Sequence, residues 1–342
     1  MKIFSLNVNG LRAFDEKSNI SFNDFCLNTL KADIICLQEI KGSKENLTRY
    51  SALRDYQTFS SILVKGRHGV ATLVRKNVFC EKKVEISKGR ILKTFHGNFV
   101  LYNCYMPYCD ESSNGDKGDI IKVYNLLREH AEAENCILCG DFNATYSILD
   151  HYQYKNELDT ITIVNKWDEN IYENEMNKGL INDKIKEKNE LYKRLVTASE
   201  EFADPEILKE MVEKIRPKKV ELPFHFFTVK ALEAHFFSVY QREWMKEFVS
   251  VFKDTFRMHN NEIEQYTCWN TIFNLRPVNY GTRIDYVLCT GDILCCAAGI
   301  MPEIKGSDHC PVYAEFEIEN FVDDRIDLSK RKNNLLDFFK RK

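Results

Sequence analysis

Polar residues with catalytic potential recur where apolar, strand-like runs give out. Asn7 and Asn9 close the run that begins at Lys2. Glu39 closes Ile-Cys-Leu-Gln-Glu, and Tyr105 closes Asn-Cys-Tyr. Asp141 and Asn143 follow Ile-Leu-Cys-Gly as GDFN, Asp285 lies in RIDY, and Asp308-His309 follow Lys-Gly-Ser. Strand ends and their loops are where layered α/β proteins form sites. Each residue alone has a plain structural explanation. Asp141 and Asn143 suit a turn after Gly140, Asp308 suits a turn before Pro311, and Glu39 suits a surface strand end. Together they say more, because carboxylates that end apolar strands need a cation or a hydrogen-bond network. Carboxylate and amide oxygens are hard ligands, and without a Cys/His cluster they suit Mg²⁺ or Mn²⁺ rather than structural zinc.

The chemistry such a set could perform is metal-assisted phosphodiester hydrolysis with water as the nucleophile. Asp141 is the candidate base. Asn143 would orient water or a phosphate oxygen, and Tyr105 would donate to the phosphate or assist the leaving group. His309 would contact a non-bridging oxygen, with Asp285 accepting the ring's other N–H and favouring its charged form.

These residues must be positioned by many short elements. Residues 2–8 alternate, with Phe4, Leu6 and Val8 on one face and Ser5, Asn7 and Asn9 on the other. Further strands are predicted at Ile34–Gln38, Val70–Arg75, Phe99–Tyr105, Cys136–Cys139, Arg283–Cys289 and Pro311–Ile318. Helices are predicted at Asn23–Lys31, Asp119–Glu132 and Phe236–Lys253. Strands interleaved with helices imply a sheet-rich α/β domain of two or more layers. Residues 165–221 differ: 12 basic and 14 acidic residues among 57 read as a solvated helical insertion. Residues 329–342 carry six basic residues, one acidic residue and the apolar pairs Leu335-Leu336 and Phe338-Phe339.

Composition narrows the classes. With 342 residues, net charge −3 and 44% hydrophobic residues, the chain has a sizeable core and is no uniformly basic coat for nucleic acid. No apolar run is long enough for a membrane span, and MKIFSLNVNG lacks a secretory h-region. The 12 cysteines include Cys36, Cys104, Cys136, Cys139 and Cys289 in apolar runs, and they read as reduced, buried thiols of a nuclear or cytosolic protein.

The ordered blocks MKIFSLNVNGLRA, CLQEIK, LYNCYMP, GDFN, GTRIDYVL and GSDHCPV resemble the exonuclease III family of AP endonucleases. That family lies within the endonuclease/exonuclease/phosphatase superfamily. The resemblance implies a four-layer αββα sandwich of two packed, mostly antiparallel sheets over residues 1–320, with the charged helical insertion inside it. YTCWNTIFNLRPVNYGTRIDYVL, Asp150-His151 after GDFN, and the tail are most similar to the eukaryotic AP endonuclease 2 branch. In the tail, 321–342, Lys332-x-x-Leu335-x-x-Phe338-Phe339 resembles a PCNA-interacting peptide, with Lys332 in place of Gln. Leu335, Phe338 and Phe339 would then be the clamp-binding residues. A C-terminal helix docked on its own domain, or a nuclear localisation signal, is the competing reading of that block.

The resemblance also implies roles and an activity. Asn7, Glu39 and Asp308 would bind or organise Mg²⁺ (Mn²⁺ is an alternative), with Asp141, Asn143 and His309 offering further ligand atoms. Tyr105 and His309 would contact the scissile phosphate, and Arg12, Trp269 and Arg283 would contact DNA. Phe273 is a further stacking candidate, although Trp269 also reads as core. The expected activity is DNA repair in the nucleus by a monomer, at abasic sites and 3′ ends of double-stranded DNA, in base excision repair. Three residues depart from the main branch: Thr282 stands where a Trp lines the abasic pocket, Tyr108 where Asn is common, and His68 where a small residue is usual. They favour work on 3′ ends. A catalytically weak scaffold for DNA ends and PCNA, or a phosphodiesterase with a non-DNA substrate, is the alternative.

Overall fold

The structure is a computed structural model. It describes residues 1–18, 20–43, 47, 49–50, 54–63, 66–108, 118–165, 226, 228–260, 265–272 and 274–318. The predicted insertion (apart from Asn165), Phe273 and the tail with Leu335, Phe338 and Phe339 lie outside the described residues.

Two six-stranded sheets face each other. The first contains β1 (Lys2–Asn7), β2 (Ile34–Gln38), β3 (Tyr56–Ser61), β4 (Val70–Arg75), β13 (Cys295–Ile300) and β14 (Val312–Phe316), in the order β13-β14-β1-β2-β4-β3. The second contains β5 (Lys83–Ser87), β6 (Ile91–Phe95), β7 (Val100–Tyr105), β8 (Cys136–Asp141), β9 (Lys253–Asp254) and β12 (Asp285–Cys289), in the order β5-β6-β7-β8-β12-β9. A small ribbon pairs β10 (Cys268–Trp269) with β11 (Gly281–Thr282). Each large sheet has a parallel pair, β1 with β2 and β7 with β8, flanked by antiparallel neighbours. A parallel pair needs a crossover. The helical segment spanning residues 11–30 supplies one, and helix Gly118–Ala131 lies between the strands of the other. Both pairs therefore end at the same edge of the molecule, where antiparallel β12 and β14 begin.

The two-residue period of the strands sets the layers. In β1, Phe4, Leu6 and Val8 pack outward against Leu11, Phe14, Phe22 and Phe25 of the helices. Ile3 packs inward with Ile34, Leu101, Ile137 and Cys289 from both sheets. On the far side, Tyr102, Cys104, Leu138 and Tyr286 pack against Tyr124, Leu127, Trp244 and Phe248. The order is helix, sheet, sheet, helix, as the family resemblance implies. Between the sheets, composition changes along the strands. β1 runs Ile3, Ser5, Asn7 inward; β7 runs Leu101, Asn103, Tyr105; β8 runs Ile137, Cys139, Asp141. The apolar end holds the sheets together. The next layer is polar: Gln38 Nε2 donates to Ser5 Oγ (3.0 Å) and Asn103 Oδ1 (2.8 Å), tying one sheet to the other. The last layer is the site.

Gly140 shows how tight the β7–β8 pairing is. A Cβ there would lie 1.9 Å from the carbonyl oxygen of Cys104, and the residue has φ +145°. Only glycine fits that approach.

Two predicted elements differ. The helix expected over 236–253 is two helices, Val229–Phe236 and Tyr240–Val251, followed by β9. Ser238 Oγ donates to His235 O and ends the first, while Asp254 caps the next helix through Phe256 N and Arg257 N. The expected helix at 23–31 is Phe22–Asp24 running into a π-helical turn, Phe25–Leu30, stopped by Lys31 at φ 48°. Strands β3, β5, β6 and β13 and helices Leu11–Lys17 and Tyr152–Asn165 had no sequence assignment. Every described cysteine is free, and Cys36, Cys104, Cys136, Cys139 and Cys289 are buried. Among the described residues no helix is long and apolar enough to cross a membrane.

Two histidines are buried neutral. His96 stacks on Phe99 and bonds to Thr94 Oγ1 and Phe79 O, and burial pushes its pKa down to about 4. Burial, with Arg242 nearby, pushes His151 down to about 3. Both folded values lie below the unfolded value, so the unfolded chain takes up the protons first. Their contribution to stability is full above about pH 6.5 and is lost towards pH 4, with His96 contributing roughly 3 kcal/mol of the loss. Urea unfolding between pH 7.5 and 4.5 checks this; His96→Gln should flatten the slope, and an unchanged slope counts against the assignment.

Candidate active site

The parallel pairs deliver their last residues to one seam. Asn7 ends β1, Glu39 follows β2, Tyr105 ends β7 and Asp141 ends β8. Asp285 starts β12 directly opposite Asp141, and Asp308-His309 lie just before β14. Asn7 Nδ2 bridges the sheets, donating to Glu39 Oε1 (3.0 Å) and Asp141 Oδ2 (2.8 Å). Its Oδ1 accepts from Asn9 N (2.9 Å). Asp141 is buried. It also accepts from Asn143 N (2.8 Å), and Asn143 Nδ2 is turned onto Met106 O (2.8 Å).

His309 Nδ1 lies 2.8 Å from Asp285 Oδ2, and its Nε2 is 3.9 Å from Asp141 Oδ2. Asp285 Oδ1 is buried without a partner, so that carboxylate's charge acts on the ring. Burial alone would lower the His309 pKa. The Asp285 charge and the contacts with Asp285 and Cys268 outweigh it and hold the imidazole protonated well above its usual range. The Asp141 pKa is also raised, but here burial is the cause: offset in part by His309, it pushes the carboxyl up to about 7. A candidate base and a protonated imidazole therefore face each other.

Glu39 behaves differently again. Burial would raise its pKa, but hydrogen bonds from Asn7, Lys41 and Tyr105 lower it, so it stays ionised. Lys41 Nζ bridges Glu39 Oε2 (2.8 Å) and Asn9 Oδ1. Asn9 Nδ2 donates to Asp308 Oδ1 (2.9 Å), which also accepts from Ser307 Oγ (3.1 Å). An ammonium thus already sits among the oxygens expected to hold a cation. Asp141, Asp285 and His309 have ligand atoms within 4.8 Å of one another and could hold a metal ion. His309 Nδ1 and Asp285 Oδ2 are engaged with each other, and Glu39 with Asn7 and Lys41, so a divalent cation would take the place of one of these partners.

The backbone here is unusual. Asn9, Glu39, Lys41, His68 and Asn143 all have φ between 45° and 53°. Such conformations cost about 1–3 kcal/mol each for residues with side chains, and they concentrate at functional sites. Sequence reasoning gave no role to Lys41, although it follows Glu39 by two residues, nor to Ser307, whose Oγ also donates to Asn7 O (2.8 Å).

Some expected residues are elsewhere. Arg12 is exposed on its helix and paired with Glu16. Trp269 is 3% exposed, lies under the Arg276 guanidinium, and donates its backbone N–H to Asp308 O (3.0 Å). It supports the Asp308 loop through that bond. Its neighbour Ile272 is 82% exposed. Arg283 is 0% exposed: its Nε and Nη2 bond Asp150 bidentately (2.9 and 2.8 Å), and Nη2 lies 2.7 Å from Asp254. It is an internal strut, and Asp150 of the Asp150-His151 pair is its anchor.

A deep seam of carboxylates, amides and a His–Asp pair between two sheets defines a class of hydrolase fold. The chain matches the Endonuclease/Exonuclease/phosphatase family over residues 4–309 and belongs to it. It is 29% identical over 340 residues to a protein from Schizosaccharomyces pombe named DNA-(apurinic or apyrimidinic site) endonuclease 2, covering 93% of this chain and 58% of that one. It is 26% identical over 366 residues to the Xenopus laevis protein of the same name, covering 92% and 59%. The chain thus spans about three fifths of the length of these relatives. Its fold is similar to the crystal structure of the Xenopus laevis APE2 catalytic domain (TM-score 0.60, 23% identity, 93% of this chain and 92% of that chain).

Because Asp150 and Asp254 depend on Arg283, Arg283→Leu should lose about 3–5 kcal/mol of stability by leaving buried charge unpaired. Urea denaturation measures it. A loss below about 1 kcal/mol would show that the network is dispensable.

Proposed function

We propose that the chain is a metal-dependent DNA-repair phosphodiesterase that cleaves at abasic sites and trims 3′ ends. The observation that carries this reading is the pairing of Asp141, raised to about 7, with a His309 held protonated by Asp285. The family membership and the names of the relatives support DNA as the substrate.

Asp141, held by Asn7 and Asn143, takes the proton from the attacking water. Asn143 steadies the water or a phosphoryl oxygen. His309 presents Nε2–H to a non-bridging oxygen, where negative charge grows in the transition state. Tyr105, whose hydroxyl interacts with Glu39, meets the phosphate. Glu39 and Asp308, organised by Asn7 and Asn9, would hold Mg²⁺ or Mn²⁺. Such a cation supplies Lewis-acid polarisation of a phosphoryl oxygen.

Thr282, in β11, favours the 3′-end activities over abasic incision. The proposed setting is the nucleus, with the chain acting as a monomer. Residues 321–342 are proposed to tether it to PCNA through Leu335, Phe338 and Phe339.

Two labelled duplexes, one with an internal abasic analogue and one with a recessed 3′ end, test the reading with Mg²⁺ and with EDTA. Faster shortening of the 3′ end, abolished by EDTA, is expected. Glu39→Ala and His309→Asn should each lower turnover by about 100-fold or more with the fold intact. Wild-type rates in both variants would sink the site assignment, and an inert wild-type protein that still binds DNA ends would point to a scaffold. Replacing Phe338 and Phe339 together by Ala should abolish clamp binding in a pull-down and leave oligonucleotide cleavage unchanged.

A further inference from the structure

His68 stands out among the residues the mechanism leaves unused. It is a bulky residue at φ 53°, between Gly66 and Gly69 at φ 83° and 92°. Glycine or asparagine would adopt that turn more readily. The turn is fixed on both sides. Lys41 N donates to His68 O (3.0 Å), Ile40 N to Gly69 O (3.1 Å), and Gly69 N to Gly89 O (3.1 Å). The next residue, Arg90, is bound to Tyr105 by main chain: Tyr105 N donates to Arg90 O (2.7 Å) and Arg90 Nη1 to Tyr105 O (3.3 Å). Four segments therefore meet around one phenol. Its ring has the His68 ring at 5.7 Å, tilted by 42°, and the Arg90 guanidinium at 5.1 Å.

We propose that His68 is a positioning residue for Tyr105: its ring, together with Arg90, fixes the orientation in which the phenol meets the phosphate. The role of Tyr105 rests on the phosphodiesterase reading; the contact itself does not. A small side chain at position 68 leaves the phenol free to turn within its site. The expected loss then falls on kcat, because substrate binding uses other groups, and an aromatic replacement restores it.

The test uses the full chain on the recessed 3′-end duplex. His68→Ser is expected to lower kcat about tenfold with KM within about twofold. His68→Phe is expected to recover most of the rate. His68→Ser added to Tyr105→Phe is expected to cost less than the product of the two single losses. A change confined to KM, a wild-type kcat in His68→Ser, or fully multiplicative losses overturns the proposal. A second readout needs no turnover: 3-fluorotyrosine at position 105, read by fluorine NMR. Its signal should shift and broaden in His68→Ser and stay near the wild-type position in His68→Phe. If the chain cleaves no DNA yet the fluorine signal behaves so, the phosphodiesterase reading fails and the positioning holds. If cleavage occurs and the signal ignores position 68, the positioning fails alone.

Discussion

The Asn7 amide is the hinge of the structure's chemistry. It hydrogen-bonds carboxylates from two chain segments, Glu39 beyond β2 and Asp141 at the end of β8, and so joins one sheet to the other at the seam. Without such a donor, Asp141 would be a buried carboxylate with backbone Asn143 as its chief support, and burying an ionised group without partners is strongly unfavourable. The polar layer beneath it, with Gln38 reaching Ser5 and Asn103, continues the same solution one step deeper. The apolar layer below that holds the sheets together. The gradient from apolar to polar along the inward faces lets a tightly packed sandwich carry charges at one edge only.

Around the seam, similar residue types take opposite roles because their surroundings differ. Glu39 stays ionised through Asn7, Lys41 and Tyr105, while burial raises Asp141. Asp285 is committed to His309, and Asp150 to Arg283 and Arg257. Burial alone would raise Glu39, Asp141 and Asp150; the partners of each decide which way it moves. The left-handed backbone at Asn9, Glu39, Lys41, His68 and Asn143 is the conformational counterpart. Those residues hold side chains at angles a relaxed turn would not offer, and the hydrogen bonds between their loops sustain them.

Much of this was legible beforehand. The strand of residues 2–8, the strands at 34–38 and 70–75, and the polar residues where strands stop all follow from alternation and from apolar runs ending in Asn, Glu or Asp. Less regular edge strands such as Lys83–Ser87 were missed because their solvent-facing pattern is weak. The helix break at Phe237–Val239 was missed because Ser238 acts through a local side-chain bond that hydrophobic periodicity does not register. Trp269 and Arg283 look like ligand-facing residues by type. Their burial comes from Arg276 in one case and from Asp150 and Asp254 in the other.

The amino-acid sequence by itself determined the residue types available for chemistry, their placement at strand ends, and the outward and inward faces of the main strands. Those are properties of period, propensity and steric size, which act over a few neighbouring residues. Tertiary structure alone decided that Lys41 lies among the oxygens of Glu39 and Asn9, and that His68 packs against Tyr105. It also decided that Arg283 is an internal ion pair with Asp150, 133 residues away in sequence. Contacts at such separations form only when two sheets close over a shared core, and the strength and direction of an electrostatic interaction depend on the burial and partners that this closure creates.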